Sequence, residues 1–274
     1  MNRPPTPLES PRFDWMQATV REDPQEIWEV LSGTLGAEVS DTARGLNGYE
    51  KSRVLTRNGE SLARVLYGGQ NGWPNVVASG APTDDFVPVL RAAYPCHVVT
   101  RMDSAQDFDG EGGYDALQAL MLALSDATGI TRNVQESVRN GVRSRTTYLG
   151  APSSRIRVRA YEKGRMEQQE GRSAPDHWVR LEAQIRPTGD ARAASAGVGP
   201  VEAWGSARWL RRLASEAMGL EVPPITMQLR RDPDYERALR HLVKQYGATL
   251  TRAMEVEGSW DAVRLLLVAQ GMGE

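Results

Sequence analysis

The feature that most constrains this chain is a stretch of alternating side chains at residues 155–163. Side chains of a β-strand point alternately to the two faces of a sheet, so the stretch predicts a strand with Ile156, Val158 and Ala160 on a packed face. The other face carries four cations and one phenol: Arg155, Arg157, Arg159, Lys163 and Tyr161. Neighbours on one face lie roughly 6.6–6.8 Å apart, which is close to the phosphate spacing of an extended nucleic-acid strand. The stretch therefore predicts a strand that can hold a phosphodiester backbone beside a tyrosine.

The composition is that of an ordinary globular protein, with 40% apolar and 25% charged residues in 274. This length is sufficient for one large domain, or for one domain with an appendage. The longest apolar runs, such as 117–124 and 265–269, are far shorter than the roughly 20 residues that span a bilayer. No secretory signal pattern opens the chain, and the single Cys96 cannot form an internal disulfide. We therefore expect a cytoplasmic protein that makes no contact with a membrane.

Charge is distributed unevenly along the chain. The formal net charge is −2, which by itself argues against non-specific binding of nucleic acid. Residues 132–186, however, contain twelve Lys/Arg and six Asp/Glu, a local surplus of +6 that the remaining residues offset with −8. This distribution is typical of a localised groove for a nucleic-acid backbone. The alternative interpretation is a chance cluster of solvated strand faces.

The rest of the chain predicts two halves of similar element order. In the first half, alternation and turn signals predict a strand at 13–20, a helix at 24–32 with Asp23 as N-cap, a hairpin of strands 52–57 and 60–67 joined by Asn58 and Gly59, a strand at 75–79, and a helix from Thr83. In the second half they predict a strand at 97–104, a helix at 114–128, and strands at 145–149, 155–163 and 177–186. No sequence identity relates the halves, so the element order alone suggests an internal duplication.

Beyond Pro187 the composition shifts to Ala and Gly, and helical patterns follow at 201–218, 233–245 and 260–269. The predicted fold class is therefore α+β: an antiparallel sheet with helices on one side, built from two halves rich in strand-helix-strand order, and a helical C-terminal region. Residues 1–12 hold four prolines and predict a flexible N-terminal arm. We expect the sheet domain to occupy 13–187 and the helical region to occupy 188–274.

Two more of the predicted strands carry a carboxylate among arginines. Alternation places Asp103 on one face with Arg101, and places Glu182 on one face with Arg180. Carboxylates are poor strand formers and are costly to bury unless they are paired or metal-bound. One interpretation is a salt bridge between strands, joining Asp103 to Arg159 or Glu182 to Arg157. The other is a bound divalent cation, because hard carboxylate oxygens suit Mg²⁺ or Mn²⁺; at this point both remain open.

Four short motifs, in order and in approximate spacing, resemble those of the replication initiation factor family, which includes rolling-circle initiators of plasmids and filamentous phages and related nickases of conjugative elements. The motifs are residues 100–107, residues 145–150 followed by Ser153 and Ser154, residues 157–163, and residues 178–184. The resemblance covers roughly residues 13–187 and implies that this region is a catalytic nicking domain. Tyr161 matches the tyrosine of the family's Arg-x-Tyr-x-Lys strand. Asp103 and Glu182 match the acidic residues of its Arg-x-Asp and Arg-x-Glu strands.

The family resemblance implies an endonuclease that nicks one strand at an origin through a 5′-phosphotyrosyl intermediate and later rejoins it. A phenol with a pKa of about 10 is a weak nucleophile at neutral pH, so Tyr161 needs positive charge nearby. Arg159, Lys163 and a Mg²⁺ or Mn²⁺ ion held by Asp103 and Glu182 would supply it. The side chains expected to contact DNA are Arg145, Arg155, Arg157, Arg180 and Trp178.

The implied partners are single-stranded or hairpin origin DNA, with a host helicase and polymerase. Two alternatives remain open: a relaxase that nicks a transfer origin with the same site, and a noncatalytic DNA-binding initiator or repressor. The pair of histidines flanking an apolar residue, known from other nickases, is absent, because His97, His177 and His241 are far apart in sequence. The sequence decides neither the origin sequence nor the oligomeric state, nor whether Asp107 or Glu162 joins the metal site.

Overall fold

The structure, a computed structural model, describes residues 5–225 and 234–269. Contacts divide the chain into two compact units, Met1–Leu229 and Arg230–Glu274. The described helical segment 188–225 therefore belongs to the same unit as the sheet, whereas the sequence placed a boundary after residue 187. Residues 1–4 of the predicted N-terminal arm and residue 233 of the last but one predicted helix lie outside the described ranges.

One antiparallel sheet dominates the first unit. Within the described ranges its strands are β1 (Thr6–Pro7), β2 (Arg12–Thr19), β3 (Glu38–Val39), β4 (Ala43–Arg44), β5 (Lys51–Arg57), β6 (Glu60–Tyr67), β7 (Asn75–Ser79), β8 (Val98–Asp109), β9 (Arg132–Arg139), β10 (Val142–Leu149), β11 (Ile156–Tyr161) and β12 (Val179–Ile185). The main path across the sheet is β3-β5-β6-β7-β2-β8-β12-β11-β10-β9. Off this path, β4 pairs with β5, and β1 pairs with the end of β8, so the predicted arm is attached to the sheet from Thr6 onward.

Both units contain helices. The first unit contains α1 (Pro24–Leu35), α2 (Thr83–Ala93), α3 (Gly113–Thr128), α4 (Lys163–Gln169), α5 (Ala191–Ala194), α6 (Pro200–Ala203), a 3-10 turn (Trp204–Ser206) and α7 (Arg208–Met218). The second unit contains α8 (Asp234–Glu257) and α9 (Trp260–Ala269). The predicted α+β class with a helical C-terminal region is thus confirmed. None of the helices in the described ranges is long and apolar enough to cross a bilayer.

The two predicted halves are present and meet at the centre of the sheet. Their first strands, β2 and β8, pair antiparallel. In each half the last strand returns beside the first, with β7 next to β2 and β12 next to β8. Each half thus runs strand, helix, then antiparallel strands, although no sequence identity relates the two.

Local signals explain most element boundaries. The carboxylate of Asp23 accepts a hydrogen bond from the backbone N–H of Gln25 at 2.8 Å, as predicted for the N-cap of α1. Asn58 and Gly59 have φ angles of 54° and 80°, which are those of the predicted type I′ hairpin turn. The same signal at Asn140 and Gly141, with φ of 52° and 76°, joins β9 to β10. Sequence analysis missed that second hairpin.

The helices α1, α2 and α3 cover one face of the sheet. The side chains of β11 predicted to pack, Ile156, Val158 and Ala160, are buried on this face. On β8, Ser104 lies on the same face, where its hydroxyl accepts a hydrogen bond at 2.8 Å from the indole of the fully buried Trp204. The helical segment after residue 187 therefore contributes to the hydrophobic core, and the opposite face of the sheet carries polar side chains.

The predicted strand 155–163 is shorter than expected. β11 ends at Tyr161, and Lys163 begins α4 instead of continuing the strand. The cause is a close approach at Gly164, whose backbone N–H donates to the carbonyl of Trp178 at 3.0 Å. A Cβ atom at Gly164 would lie only 1.7 Å from the carbonyl oxygen of Pro175. The lack of a side chain at position 164 therefore allows α4 to turn against the segment that leads into β12.

Gly164→Ala is expected to lower the free energy of unfolding by about 2–3 kcal/mol, because the new methyl group forces α4 away from Pro175. The matched control is Gly33→Ala in the last turn of α1, where a Cβ would meet nothing within 4 Å. That change should raise the free energy of unfolding by about 0.5–1 kcal/mol. Urea unfolding measures both values, and equal effects of the two substitutions would contradict the close approach.

Candidate nucleic-acid interface

Strand register brings the predicted site residues onto the face opposite the helices, here called the polar face. Residues that lie opposite each other on successive strands form rows across this face. The first row, from β10 to β8, contains Tyr148, Arg159, Glu182 and Ala105, and the second contains Thr146, Tyr161, Arg180 and Asp107. The third row, from β11 to β2, contains Arg157, Gln184, Asp103 and Trp15. The predicted tyrosine, both predicted carboxylates and three of the predicted arginines thus share one surface. Residues far apart in sequence become neighbours because β12 and β8 are adjacent strands.

Tyr161 is the last residue of β11 and is only 3% exposed. Its hydroxyl donates to Oε2 of Glu182 at 3.3 Å, and the guanidinium of Arg159 lies 4.8 Å from the centre of its ring. The sequence predicted a phenol on an open face; the face is as predicted, but the ring is covered. Burial raises the pKa of Tyr161 and the charge of Glu182 raises it further, while Arg159 and Arg180 oppose the shift.

Asp103 and Glu182 are each 1% exposed and each is paired with an arginine. Arg101 donates from Nε and Nη2 to the two oxygens of Asp103, at 2.9 and 2.5 Å. Arg159 donates to Oε2 of Glu182 at 2.8 Å. Salt bridges are present, as one interpretation of the sequence predicted, but with different partners: Asp103 pairs within its own strand, and Glu182 pairs with Arg159.

The carboxylate pair also has the donor chemistry of a divalent cation site. Burial raises the pKa of Glu182, the charge and hydrogen bond of Arg159 oppose this shift, and the charges of Asp103 and Asp14 add to it. In the described ranges no group of three or more His, Cys, Asp or Glu side chains could hold a metal ion. Mg²⁺ is commonly bound by one or two carboxylates, with water and substrate phosphates completing its shell. Both oxygens of Asp103 accept from Arg101, and Oε2 of Glu182 accepts from Arg159, so a cation would share these oxygens with arginines. A metal site at Asp103 and Glu182 stays a prediction.

Arg180 is buried and bonded to carboxylates, whereas the sequence predicted that it contacts DNA. Its guanidinium donates to both oxygens of Asp107, at 2.7 and 2.8 Å, and to Asp14 at 2.7 Å. Its side chain is only 3% exposed. The three side chains form an ion cluster that joins β12, β8 and β2 beside Tyr161, with Arg180 buried and both carboxylates partly exposed. Asp107 is therefore committed to Arg180 and not to a metal site.

Arg145 is also placed differently from its predicted role. It lies on the helix-covered side of β10, with its guanidinium 4.4 Å from the ring of Tyr114 in α3. It donates to Asp115 at 2.7 Å and to Glu162 at 2.8 Å. Glu162 also accepts from the backbone N–H of Arg145, so it is not a neighbour of Asp103 in a metal site. The alternation of side chains along β10 places Arg145 on one face and Tyr148 on the other.

Lys163 and Trp178 lie beside each other at one end of the site. The ammonium group of Lys163 is paired with Glu167 in α4 and lies 5.7 Å from the ring of Trp178. Trp178 is half-buried and precedes β12, and the guanidinium of Arg180 lies 5.8 Å from its ring. These contacts fix the connection between α4 and β12 next to Tyr161. Lys163 thus reaches the site from a helix and not from the predicted strand.

Stacked pairs of an arginine and an aromatic ring flank the carboxylates. The guanidinium of Arg157 lies 3.9 Å from the ring centre of Tyr148, and that of Arg101 lies 4.4 Å from the ring centre of Trp15. All four side chains are partly exposed. Arg155 precedes β11 and continues its ladder, since its carbonyl accepts from the N–H of Arg186 at 2.7 Å. A small pocket of about 70 Å³ opens between the first pair and the buried cluster, lined by Tyr148, Arg157, Val158, Arg159, Glu182 and Gln184.

Sequence analysis missed Trp15 as a member of this surface. Trp15 lies in a correctly predicted strand, and alternation alone separates it from the buried Met16. Its position opposite Asp103 depends on the pairing of β2 with β8. That pairing joins the two halves of the chain and has no local signal.

Neither protein-family models nor curated proteins give a significant match to this chain. Among solved structures, the rolling circle replication initiator protein from Geobacillus stearothermophilus is similar in fold, with a TM-score of 0.53. The two chains are 22% identical, and the similarity covers 78% of this chain and 98% of that one. At this level of identity the similarity concerns the fold, so the function has to be argued from the site itself.

Proposed function

We propose that this protein initiates rolling-circle replication by nicking one DNA strand at an origin and rejoining it, with Tyr161 as the nucleophile. The observation that carries the proposal is the cluster of Tyr161, Glu182 and Arg159: a phenol hydrogen-bonded to a carboxylate and covered by a guanidinium. This cluster lies on a surface with partly exposed arginines and aromatic rings. The fold similarity to a rolling-circle initiator supports the same assignment.

The DNA strand would lie across the polar face. Partly exposed Arg157 and Arg101 offer charge to phosphates, and the rings they stack on, Tyr148 and Trp15, offer surfaces for unpaired bases. Stacking of bases on aromatic rings beside cations is the usual means of binding single strands without sequence preference. A phosphate between the two stacked pairs would lie over Arg159. The side chain of Arg159 is partly exposed, whereas Glu182 and Tyr161 beside it are buried.

The chemistry is a transfer of one phosphodiester from DNA to the protein. The phenolic oxygen of Tyr161 forms a bond to phosphorus, the bond from phosphorus to the 3′-oxygen breaks, and the leaving oxygen takes a proton from water. Oε2 of Glu182 is placed to accept the phenolic proton, and Arg159 neutralises charge on the nonbridging oxygens. The products are a 5′-phosphotyrosyl link and a free 3′-hydroxyl. Rejoining is the reverse transfer and requires no nucleotide cofactor, because the link retains the energy of the broken ester.

Asp103 and Oε1 of Glu182 would hold a Mg²⁺ or Mn²⁺ ion, which would supply charge neutralisation at the phosphate.

To test nicking and its dependence on a cation, the full chain is incubated with a pool of single-stranded oligonucleotides of random sequence, labelled at the 3′ end. With Mn²⁺ we expect a labelled adduct that survives denaturant, and with EDTA at least about 100-fold less of it. Equal adduct in EDTA would contradict the role of the cation.

The same experiment separates the proposed function from its noncatalytic alternative. Binding of the pool without any adduct, in Mg²⁺ and in Mn²⁺, would indicate a DNA-binding initiator or repressor. A relaxase would form the same adduct as an initiator. To distinguish these two, a circular DNA carrying the site recovered from the adducts is introduced into a host that expresses the protein, and its replication is measured. Replication dependent on the protein supports the initiator.

A further inference from the structure

We propose that β9, the edge strand of the sheet, recognises bases of the strand being nicked through Asn133 and Gln135. This inference rests on the proposed function and adds to it the residues that determine which DNA sequence is nicked. It concerns positions close to the scissile phosphate, because β9 continues the same rows of side chains that contain the nucleophile.

Register places the two amide side chains on the polar face. Asn133 lies opposite Tyr148 and Gln135 lies opposite Thr146, so they extend the rows of Arg159 and Tyr161 respectively. Neighbouring strands are about 4.8 Å apart, which puts β9 about 10 Å from β11. A DNA strand that leaves Tyr161 along these rows reaches the two amides after about one or two nucleotides.

The chemistry of this strand suits base recognition. All eight residues of β9 are exposed, and within the described ranges no strand pairs with its outer edge. The described residues offer no hydrogen-bond partner to the side chain of Asn133 or of Gln135. Each amide presents one acceptor and two donors, and Asn and Gln form paired hydrogen bonds with the edge of adenine. The two positions therefore offer unused base-recognising groups beside a cationic surface.

The hairpin that carries these amides is held in a defined position relative to Tyr161. Buried Gln169, at the end of α4, donates from its amide to the carbonyls of Ser137 and Val142, at 3.2 and 3.0 Å. The side chain of Asn140, at the hairpin turn, donates to the carbonyl of Gln169 at 2.9 Å. Because α4 begins two residues after Tyr161, this clamp fixes the distance between the amides and the nucleophile. A constant distance of this kind is what recognition next to a cleavage site requires.

The exposed edge of β9 could also pair with a second copy of the chain. The distribution of side chains between its faces favours DNA, because the amides share the face of Tyr161 while the exposed apolar residues Val134 and Val138 point to the other side. Pairing between copies would use backbone groups and would not depend on which side chains face Tyr161. The excess of cations in residues 132–186 also favours a polyanion.

The test uses the random single-stranded pool described above and sequences the DNA in the adducts. For the unmodified protein we expect a base preference of about tenfold at one or two positions within two nucleotides of the junction. Asn133→Ala with Gln135→Ala should reduce that preference to about twofold or less, with preferences at other positions unchanged. The matched control is Val134→Ala with Glu136→Ala, on the opposite face of the same exposed strand, and it should retain the full preference.

The possible outcomes separate this inference from the proposed function. If the unmodified protein forms no adduct, the proposed function fails. If adducts form and the amide variant keeps the base preference of the unmodified protein, the role of β9 is overturned while the function stands. An unchanged preference together with an altered oligomeric state in sedimentation would assign β9 to a contact between copies. Loss of preference in both double variants would also overturn the inference, because it would indicate a general effect of altering the edge strand.

Discussion

Tyr161→Phe is expected to reduce formation of the protein–DNA adduct by at least about 10⁴-fold, because phenylalanine has no oxygen to attack the phosphodiester. The ring should remain in place, since the substitution removes only the hydroxyl that donates to Glu182. Loss of that hydrogen bond costs about 1–2 kcal/mol of folding stability, so the variant should stay folded. Binding of single-stranded DNA should change by no more than about twofold. Denaturing gels with labelled DNA measure the adduct, and fluorescence anisotropy measures binding.

The matched control is Tyr148→Phe. Tyr148 is the second tyrosine of the polar face and lies opposite Arg159, with its ring stacked on Arg157. A phenylalanine ring can stack on Arg157 as well as tyrosine does, so adduct formation should stay within about threefold of normal. If Tyr161→Phe still forms adduct and Tyr148→Phe does not, the nucleophile is Tyr148. That result would overturn the roles proposed for Glu182 and Arg159.

Arg180→Met is expected to lower the free energy of unfolding by about 3–5 kcal/mol. The buried guanidinium of Arg180 makes three hydrogen bonds to Asp107 and Asp14, whose side chains are themselves mostly buried. Methionine fills a similar volume but leaves two carboxylates without their partner, and uncompensated buried charge is the costly result of breaking such a cluster. Urea unfolding at neutral pH measures the loss. The matched control is Arg143→Met, whose side chain is 67% exposed and should cost about 0.5 kcal/mol or less.

The pH dependence of stability provides an independent check on this cluster. Burial would raise the pKa of Asp107, but the hydrogen bonds and charge of Arg180 hold that pKa below its usual value. A lowered pKa stabilises the folded protein above the pKa of the unfolded chain, about 3.9, and this contribution is lost as the pH falls toward the folded pKa. The difference between Arg180→Met and the unmodified protein should therefore shrink below about pH 4. A difference that is constant from pH 7 to pH 3 would contradict the ion cluster.

Most elements of the fold can be predicted from local sequence. Asp23 and Pro24 define the start of α1, and Asn58 with Gly59 defines one hairpin, because capping and positive φ angles depend on neighbouring residues only. β9 was missed because all its side chains are exposed, so it lacks the apolar alternation that marks a half-buried strand. α4 was missed because it depends on a close approach of Gly164 to Pro175, a contact across the connection from α4 to β12 that has no local signal.

The candidate site, like the fold, was predicted from the sequence only in part. Alternation along single strands correctly grouped Tyr161 with Arg157 and Arg159, and it drew attention to Asp103 and Glu182. Alternation could not predict which carboxylate each arginine pairs with. The sequence predicted DNA contacts for Arg145 and Arg180, whereas one bonds to carboxylates on the helix-covered side and the other is buried in an ion cluster.

The sequence by itself determined which side chains share a face of each strand, because that depends only on the two-residue repeat of the β conformation. Only the tertiary structure decided which ions pair across strands. Those partners depend on the register between β8, β12 and β2, which are distant in sequence. Asp14 shows the physical reason: the register of β2 against β8 shifts between Phe13 and Trp15, and Asp14, at this irregularity, accepts a hydrogen bond from Arg180. Such a shift is set by packing of the whole sheet, and no local pattern of residues encodes it.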